Sequence, residues 1–314
     1  MTASTGVDAV GIVGVGNMGG AIAENLLAQG WSVGVHDIDA SKTQPLIERG
    51  ARAVQNPSEL AAFCKIIIIA VVDAKQVEEV LGAYAISENT DLHKAKDLGL
   101  LSALGPQHTV LLCPTIAPKD VIRFARAIEG RGAGVIDAPM SGGPVRARAG
   151  QMSLMVACSS ALYQKQHPIL EAIADPVFFI SERVGDGAKT KLINNLLAGI
   201  NLVASAELLA MAEKVGLDLH KTLSVIQASS GQSLVGSERM GRAIAGDPQK
   251  LEPLAHMTLL EKDTRLALEM GLEAGYCGPL GEGAVKTFKE ASASGLAQCD
   301  DAAMLHFLRN YEAR

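Results

Sequence analysis

A glycine-rich turn near the start of the chain constrains the fold more than any other feature. The sequence Gly14-Val15-Gly16-Asn17-Met18-Gly19 follows an apolar segment, residues 9–15, and opens an alanine-rich helical pattern at residues 18–29. A strand, a G-x-G-x-x-G turn and a helix in this order are typical of dinucleotide-binding folds. Gly14 is expected to make the tight turn, Gly16 to let the backbone approach a pyrophosphate, and Gly19 to let the helix pack on the strand. The first helical N–H groups, at Asn17 and Met18, would face the phosphates.

A carboxylate stands at the end of the second predicted strand. Asp37 follows the apolar segment 31–35 and comes eighteen positions after Gly19. A carboxylate at this place can accept hydrogen bonds from the adenosine ribose hydroxyls. A 2′-phosphate would bring negative charge against it, and residues 38–40 supply no arginine to offset that charge. The sequence therefore predicts NAD as the cofactor, with NADP less favoured.

Apolar segments and helical patterns alternate through the first half of the chain. After the two strands around the glycine turn, the pattern predicts strands at residues 66–72, 109–112 and 134–137, and two edge strands at 152–157 and 176–180. Strands separated by helical stretches indicate a parallel sheet with crossover helices. We therefore predict an α/β fold whose N-terminal domain, residues 1–182, is a doubly wound Rossmann sheet.

The second half of the chain has a helical pattern throughout. Residues 187–215 lack proline and are followed by Gly216, which predicts one long helix ended by a glycine cap. Shorter helices are predicted at residues 219–228, 237–245, 258–274, 283–292 and 301–312. We predict an all-helical domain over residues 183–314, joined to the sheet by the long helix.

Two segments follow predicted strands at the edge where doubly wound folds bind their ligands. Val72 and Gln76 come after the strand at 66–72, and Thr115 comes after the next one. Contact with the cofactor and ordinary turn chemistry explain these residues about equally well.

A second glycine-containing turn, Ser141-Gly142-Gly143, follows the strand at 134–137. Its consecutive backbone N–H groups and the serine hydroxyl can form an anion site that suits a carboxylate. The alternative is a tight loop whose glycines only satisfy positive φ angles.

The start of the long helix carries a pair of polar residues. Lys191 and Asn195 are four positions apart and share one helical face, as an acid/base group and an orienting group would. Lys189 lies about 200° around the helix from Lys191 and should point elsewhere. A solvated lysine is the alternative that the residues alone leave open. The charged run 261–263, which includes Lys262, has the pattern of a solvent-exposed helix face.

Composition argues against several functional classes. The net charge is −6 and no basic cluster is present, which disfavours nucleic-acid binding. The five cysteines are odd in number and far apart, so they indicate neither disulfides nor zinc and suit a reducing compartment. The seven histidines lack metal-ligand spacing, and we expect no metal. Without a signal-peptide pattern or a membrane-length apolar run, a soluble cytoplasmic protein with no membrane partner is expected.

Four motifs occur in order and span nearly the whole chain: GIVGVGNMGGAIAENLL at residues 11–27, DAPMSGG at 137–143, GAKTKLINN at 187–195 and KDTRLAL at 262–268. With them the chain resembles the β-hydroxyacid dehydrogenase family, which shares a domain type with 6-phosphogluconate dehydrogenase. The resemblance implies roles for several residues: Lys191 as catalytic acid/base, Asn195 as a substrate contact, Ser141, Gly142 and Gly143 as the carboxylate site, and Thr115 and Lys262 near the cofactor.

The chain departs from the family pattern around the expected substrate. Arg146 and Pro114 replace a glycine and a serine, and Ala255-His256 stand where an aromatic residue is often found. The departures leave the substrate open more than the reaction, which is expected to be hydride transfer between NAD and a small 3-hydroxy acid or its carbonyl form. Two alternatives remain, an imine or short-aldehyde reductase and a dinucleotide-binding sensor or scaffold without turnover. A homodimer or homotetramer is expected.

Overall fold

The structure is a computed structural model that describes residues 9–82, 99–247 and 250–311. The chain forms two compact units, Met1–Lys191 and Leu192–Arg314. The two units divide within the predicted long helix, whereas the domain boundary was predicted ahead of it, after residue 182. That boundary stays a prediction.

A nine-stranded sheet forms the centre of the first unit. Its strands are β1 (Val10–Val13), β2 (Val33–His36), β3 (Arg52–Ala53), β4 (Ile66–Ile69), β5 (Thr109–Leu112), β6 (Gly134–Asp137), β7 (Met140–Ser141), β8 (Met152–Ala157) and β9 (Ala174–Ser181). They lie in the order β3-β2-β1-β4-β5-β6-β8-β7, with β9 paired to β8. Strands β1 to β6 are parallel, and β8 runs antiparallel to β6. This confirms the doubly wound sheet, whose order reverses between β1 and β4, where such folds bind ligands.

Strand β4 shows why the sheet is buried on both faces. Its four isoleucines alternate between two hydrophobic cores, because successive side chains of a strand point to opposite faces. Ile66 and Ile68 pack in one core, and Ile67 and Ile69 pack in the other.

The helices of this unit are α1 (Asn17–Ala28), α2 (Ala40–Glu48), α3 (Pro57–Leu60), α4 (Ala74–Leu81), α5 (Pro118–Glu129), α6 (Gly143–Arg148) and α7 (Ser160–Ile173).

The second unit is all-helical, as predicted. Helix α8 (Asp186–Lys214) leads into it, and it contains α9 (Leu219–Gln227), α10 (Leu234–Ala245), α11 (Met257–Glu273), α12 (Pro279–Ala291) and α13 (Met304–Arg309). Gly216 has a φ of 82°, and the Leu217 N–H donates to the Ala212 carbonyl at 2.9 Å. These features confirm the predicted glycine cap after α8.

Several predicted boundaries in this unit are wrong by a turn or less at the helix starts. Helix α10 begins earlier than residue 237 because Ser233 caps it through the Gly236 N–H. Helix α12 begins at Pro279 rather than at residue 283. Proline has no N–H group, but an N–H in the first turn of a helix would have no intrahelical acceptor, so proline is tolerated there. The stretch predicted as one helix over 301–312 is a 3₁₀ turn, Asp301–Ala303, followed by α13; residue 312 lies outside the described residues.

Helix α8 carries a stripe of apolar side chains that face solvent. Ile193, Leu197, Leu208 and Met211 are each more than half exposed. At about 100° per residue these positions fall within roughly 60° of one another around the helix.

By length and composition α8 is also the one helix in the described part of the chain that could cross a membrane, although 39% of its apolar window is buried within the protein. The expectation of no membrane partner stays a prediction.

Candidate active site

The glycine turn between β1 and α1 has the geometry that the sequence predicts. Gly14 has a φ of 84°, which favours glycine. A Cβ atom at Gly19 would lie 1.9 Å from the Gly14 carbonyl oxygen, so only glycine lets α1 pack this closely. A Cβ atom at Gly16 would meet nothing within 4 Å, so the turn is open on that side. Asn17 and Met18 begin α1, where the N–H groups of the first turn lack intrahelical acceptors.

Asp37 lies directly beside this turn. Its Oδ2 atom accepts a hydrogen bond from the Val15 N–H at 2.8 Å, and its Oδ1 atom accepts one from the Asp39 N–H at 2.9 Å. Asp39 caps helix α2 through the Ser41 N–H, and these hydrogen bonds lower the pKa of its carboxyl group. The half-exposed Lys42 ammonium is 3.9 Å from Asp37. An open glycine turn next to a buried carboxylate fits the diphosphate and the adenosine ribose of a dinucleotide.

The turn after β4 lies against the glycine turn. A Cβ atom at Gly14 would lie 2.8 Å from the Val71 side chain. The Gln76 side-chain oxygen accepts a hydrogen bond from the Val72 N–H at 2.9 Å, and Asp73 caps α4 through the Gln76 N–H. The Gln76 side-chain carbonyl therefore stabilises the turn itself, through the Val72 N–H. Thr115 is partly buried in the segment after β5, and the cofactor contacts of Val72, Gln76 and Thr115 stay predictions.

The turn at Ser141 joins β7 to the short helix α6. Gly142 and Gly143 have φ angles of 131° and 71°, which only glycine adopts readily. A Cβ atom at Gly142 would also lie 3.2 Å from the Met152 Cα atom, whereas one at Gly143 would meet nothing within 4 Å. Arg146 is exposed on α6, and its stem lies against Gly142. The segment is open beside Gly143, as a site for a small anion requires.

The two lysines at the start of α8 have opposite surroundings. Lys189 is half-exposed, and its ammonium group pairs with the Asp186 carboxylate at 2.8 Å. The hydrogen bonds of Asp186 to Lys189, Ser181 and Arg183 lower the pKa of its carboxyl group to about 2. Lys191 is 6% exposed, and Asn195, one turn further along the helix, is 8% exposed. The different orientation predicted for the two lysines agrees with this burial.

In the second unit, Asp263 contacts two of the predicted site residues, Asn195 and Lys262, and the sequence analysis did not predict this role for its carboxylate. Asp263 on α11 accepts a hydrogen bond from the Asn195 side-chain amide at 2.6 Å. Its other oxygen faces the Lys262 ammonium at 3.1 Å. The interpretation of residues 261–263 as a solvent-exposed face is therefore wrong for Asp263, which is 7% exposed. Its helical spacing from the buried Ala267 is the signal that could have placed it on the inner face.

Two family models match the chain and together cover most of it. Residues 9–181 match the NAD binding domain of 6-phosphogluconate dehydrogenase. Residues 185–308 match the model described as the NAD-binding domain of NADP-dependent 3-hydroxyisobutyrate dehydrogenase. Both models indicate binding of NAD or NADP, in agreement with the open glycine turn.

Relatives and solved structures agree with these models over nearly the whole chain. L-threonate dehydrogenase from Cupriavidus necator is 30% identical over 96% of this chain and 97% of its own. The crystal structure of 3-hydroxyisobutyrate dehydrogenase from Salmonella typhimurium superposes with a TM-score of 0.84, at 30% identity over 96% of this chain and 99% of that chain. Psf3 in complex with NADP+ and 2-OPP has a TM-score of 0.84, at 27% identity over 95% and 99% of the two chains. The chain is an oxidoreductase of the β-hydroxyacid dehydrogenase family.

Proposed function

We propose that this protein transfers hydride reversibly between NAD and a small 3-hydroxy acid or its carbonyl form. The observation that carries the proposal is the contrast at the start of α8, where Lys191 is almost fully buried while Lys189 is half-exposed and paired with Asp186. Lysines are almost never fully buried unless they are paired, so burial to this extent sets Lys191 apart from an ordinary surface lysine. A lysine kept from solvent one turn from a buried asparagine suits acid/base catalysis.

The residues of the chain have distinct parts in this reaction. The bound dinucleotide supplies the acceptor for the hydride that leaves the hydroxyl-bearing carbon. Lys191 takes the hydroxyl proton as the carbon–oxygen double bond forms, and it returns the proton in the reverse direction. Asn195, held by Asp263 at 2.6 Å, orients the substrate oxygen. The turn Ser141-Gly142-Gly143 holds the substrate carboxylate through its N–H groups and hydroxyl.

Turnover of a set of small hydroxy acids tests the reaction and the carboxylate site together. NADH formation is measured with L-threonate, 3-hydroxyisobutyrate, glycerate, 4-hydroxybutyrate and serine, and then with the methyl ester of the best substrate. Loss of a charge-assisted hydrogen bond is worth about 1.5–3 kcal/mol, so the ester should raise KM roughly 10- to 150-fold. An ester that reacts as well as the free acid would contradict the carboxylate site and favour an imine or short-aldehyde reductase. NAD binding without turnover of any imine, aldehyde or hydroxy acid would favour a sensor or scaffold.

The cofactor preference follows from the charges at the end of β2. The Asp37 carboxylate lies beside the open glycine turn, so a 2′-phosphate on the adenosine ribose would meet its negative charge, and the half-exposed Lys42 ammonium is 3.9 Å from it. We expect NAD to be preferred over NADP, and Asp37→Ala to lower kcat/KM for NAD by roughly 10- to 100-fold through loss of a charged hydrogen-bond acceptor. Asp39→Asn, which keeps the cap of α2, is the matched control and should retain the preference. Equal kcat/KM values for NAD and NADP in the wild type would refute this prediction.

The oligomeric state follows from the exposed stripe on α8. Its apolar side chains, among them Leu197 and Leu208, would be removed from water by a second copy of the chain. We expect a homodimer or homotetramer in solution, and light scattering after size-exclusion chromatography measures its mass. Leu197→Glu should shift the protein towards smaller species, and a monomeric wild type would contradict the prediction.

A further inference from the structure

Strand β6 ends at a buried carboxylate, Asp137, which has no role in the proposed reaction. Asp137 is 1% exposed, and burial raises the pKa of its carboxyl group to about 6. Its Oδ1 atom is buried with no hydrogen-bond partner among the described residues. A buried charge is unfavourable unless other groups stabilise it. The contacts of its second oxygen show what this carboxylate holds.

The Oδ2 atom of Asp137 accepts hydrogen bonds from the beginning of helix α8. The Gly185 N–H donates to it at 2.8 Å, and the Ala188 N–H donates to it at 3.1 Å. The Gly187 N–H also stabilises the carboxylate. The first N–H groups of a helix have no intrahelical acceptors, and a negative charge at this end also interacts favourably with the helix dipole. Asp137 thus caps α8 from a distant strand.

The start of α8 is shaped around this carboxylate. A Cβ atom at Gly187 would lie 2.9 Å from the Asp137 Oδ2 atom and 2.7 Å from the Met155 carbonyl oxygen. Real Cβ atoms do not approach oxygen atoms this closely, so the contact requires glycine at this position. The helix therefore reaches β6 and β8 only through a residue without a side chain.

The carboxylate connects the two segments of the first unit to which the reaction is assigned. Asp137 comes four residues before Ser141 along the chain, and Ala188 comes three residues before Lys191. We propose that Asp137 is a positioning residue that sets where Lys191 stands relative to the turn at Ser141, by fixing the first turn of α8 on the end of β6. This inference rests on the function proposed above for Lys191.

The test combines turnover with amide hydrogen exchange of residues 185–192. Asp137→Ala is expected to increase exchange in this segment and to lower kcat about 100-fold, because a misplacement of about 1 Å can have that effect. The Kd for NAD should not change, since the glycine turn is on another strand. Asp137→Asn should restore part of both properties, because its amide oxygen can still accept the N–H groups. If Asp137→Ala does not fold, Asp137→Asn and Gly187→Ala, which crowds the same contact, take its place.

Asp301 is the matched control for a buried carboxylate outside the site. It is also 1% exposed, burial raises the pKa of its carboxyl group to about 6, and it pairs with Arg239 at 2.5 Å. Asp301→Asn should lower stability but leave kcat and the exchange of residues 185–192 near wild-type values. A purely structural role for Asp137 would give the same pattern as this control.

Two results would overturn the inference. One is unchanged exchange at residues 185–192 in Asp137→Ala, and the other is increased exchange with a wild-type kcat. A wild type that turns over none of the hydroxy acids would count against the proposed function alone. In that case the exchange of residues 185–192, measured without substrate, decides whether Asp137 holds the helix start.

Discussion

Lys191→Ala is expected to lower kcat by about 10²- to 10⁴-fold, the usual contribution of general acid–base catalysis. Hydride cannot leave the carbon without loss of the hydroxyl proton, and the variant lacks the amine to which we assign that proton. The Kd for NAD should stay near the wild-type value, because the glycine turn and Asp37 are unchanged. Steady-state kinetics and fluorescence titration with NADH measure the two quantities separately.

Lys189→Ala is the matched control for Lys191, the lysine proposed to be catalytic. The two residues are of the same type and lie two positions apart, but Lys189 is half-exposed and paired with Asp186. The lysine end of this pair is in water and Asp186 keeps its hydrogen bonds from Ser181 and Arg183, so loss of the pair should cost about 1 kcal/mol, and the variant should fold and keep most of its activity. Loss of turnover in Lys189→Ala together with activity in Lys191→Ala would show that the mechanism uses the wrong lysine.

Asp263→Ala is expected to reduce both stability and activity. The carboxylate is the acceptor for the Asn195 amide at 2.6 Å and faces the Lys262 ammonium at 3.1 Å. Removal of one partner from a buried pair lowers the free energy of unfolding by about 3–5 kcal/mol, and the partial exposure of Lys262 favours the lower value. Asp263→Asn should restore only part of the activity, because its amide oxygen can still accept the Asn195 N–H but its neutral amide cannot pair with the Lys262 ammonium. Urea unfolding and kcat measure the two effects.

A second carboxylate on helix α11 provides the control for Asp263. Glu269 pairs with Arg265 at 2.7 Å, but both side chains are about half exposed. Glu269→Ala should therefore change the free energy of unfolding by about 1 kcal/mol or less. If Asp263→Ala were as mild as this control and kept its kcat, Asp263 would have no part in holding Asn195.

Local patterns predicted most of the first unit because they depend on neighbours along the chain. The glycine turn at 14–19 requires a φ of 84° at Gly14 and close packing at Gly19, and both demands appear in the sequence as glycine. The isoleucine run in β4 indicated a strand buried on both faces, since no polar residue interrupts it. The orientation of Lys191 and Lys189 followed from helical geometry alone.

Elements that depend on distant partners could not be predicted in the same way. Helices α2 and α7 continue through Pro45 and Pro168, although proline usually ends a helix. The short strand β7 exists because Met140 and Ser141 pair with β8. For β7, pairing with a strand that is distant along the chain outweighs the local preference of the residues.

The sequence by itself determined the dinucleotide fold, the family and the segments that carry the candidate site. Each of these depends on the types and spacing of residues that are adjacent in the chain. Only the tertiary structure decided what the buried carboxylates do. Asp263 meets Asn195 across 68 positions of the chain, and Asp137 meets Gly185 across 48. No local pattern marks such contacts, since a carboxylate on a helix or at a strand end most often faces water. Burial against a distant donor is what distinguishes these two acidic residues from carboxylates that face water.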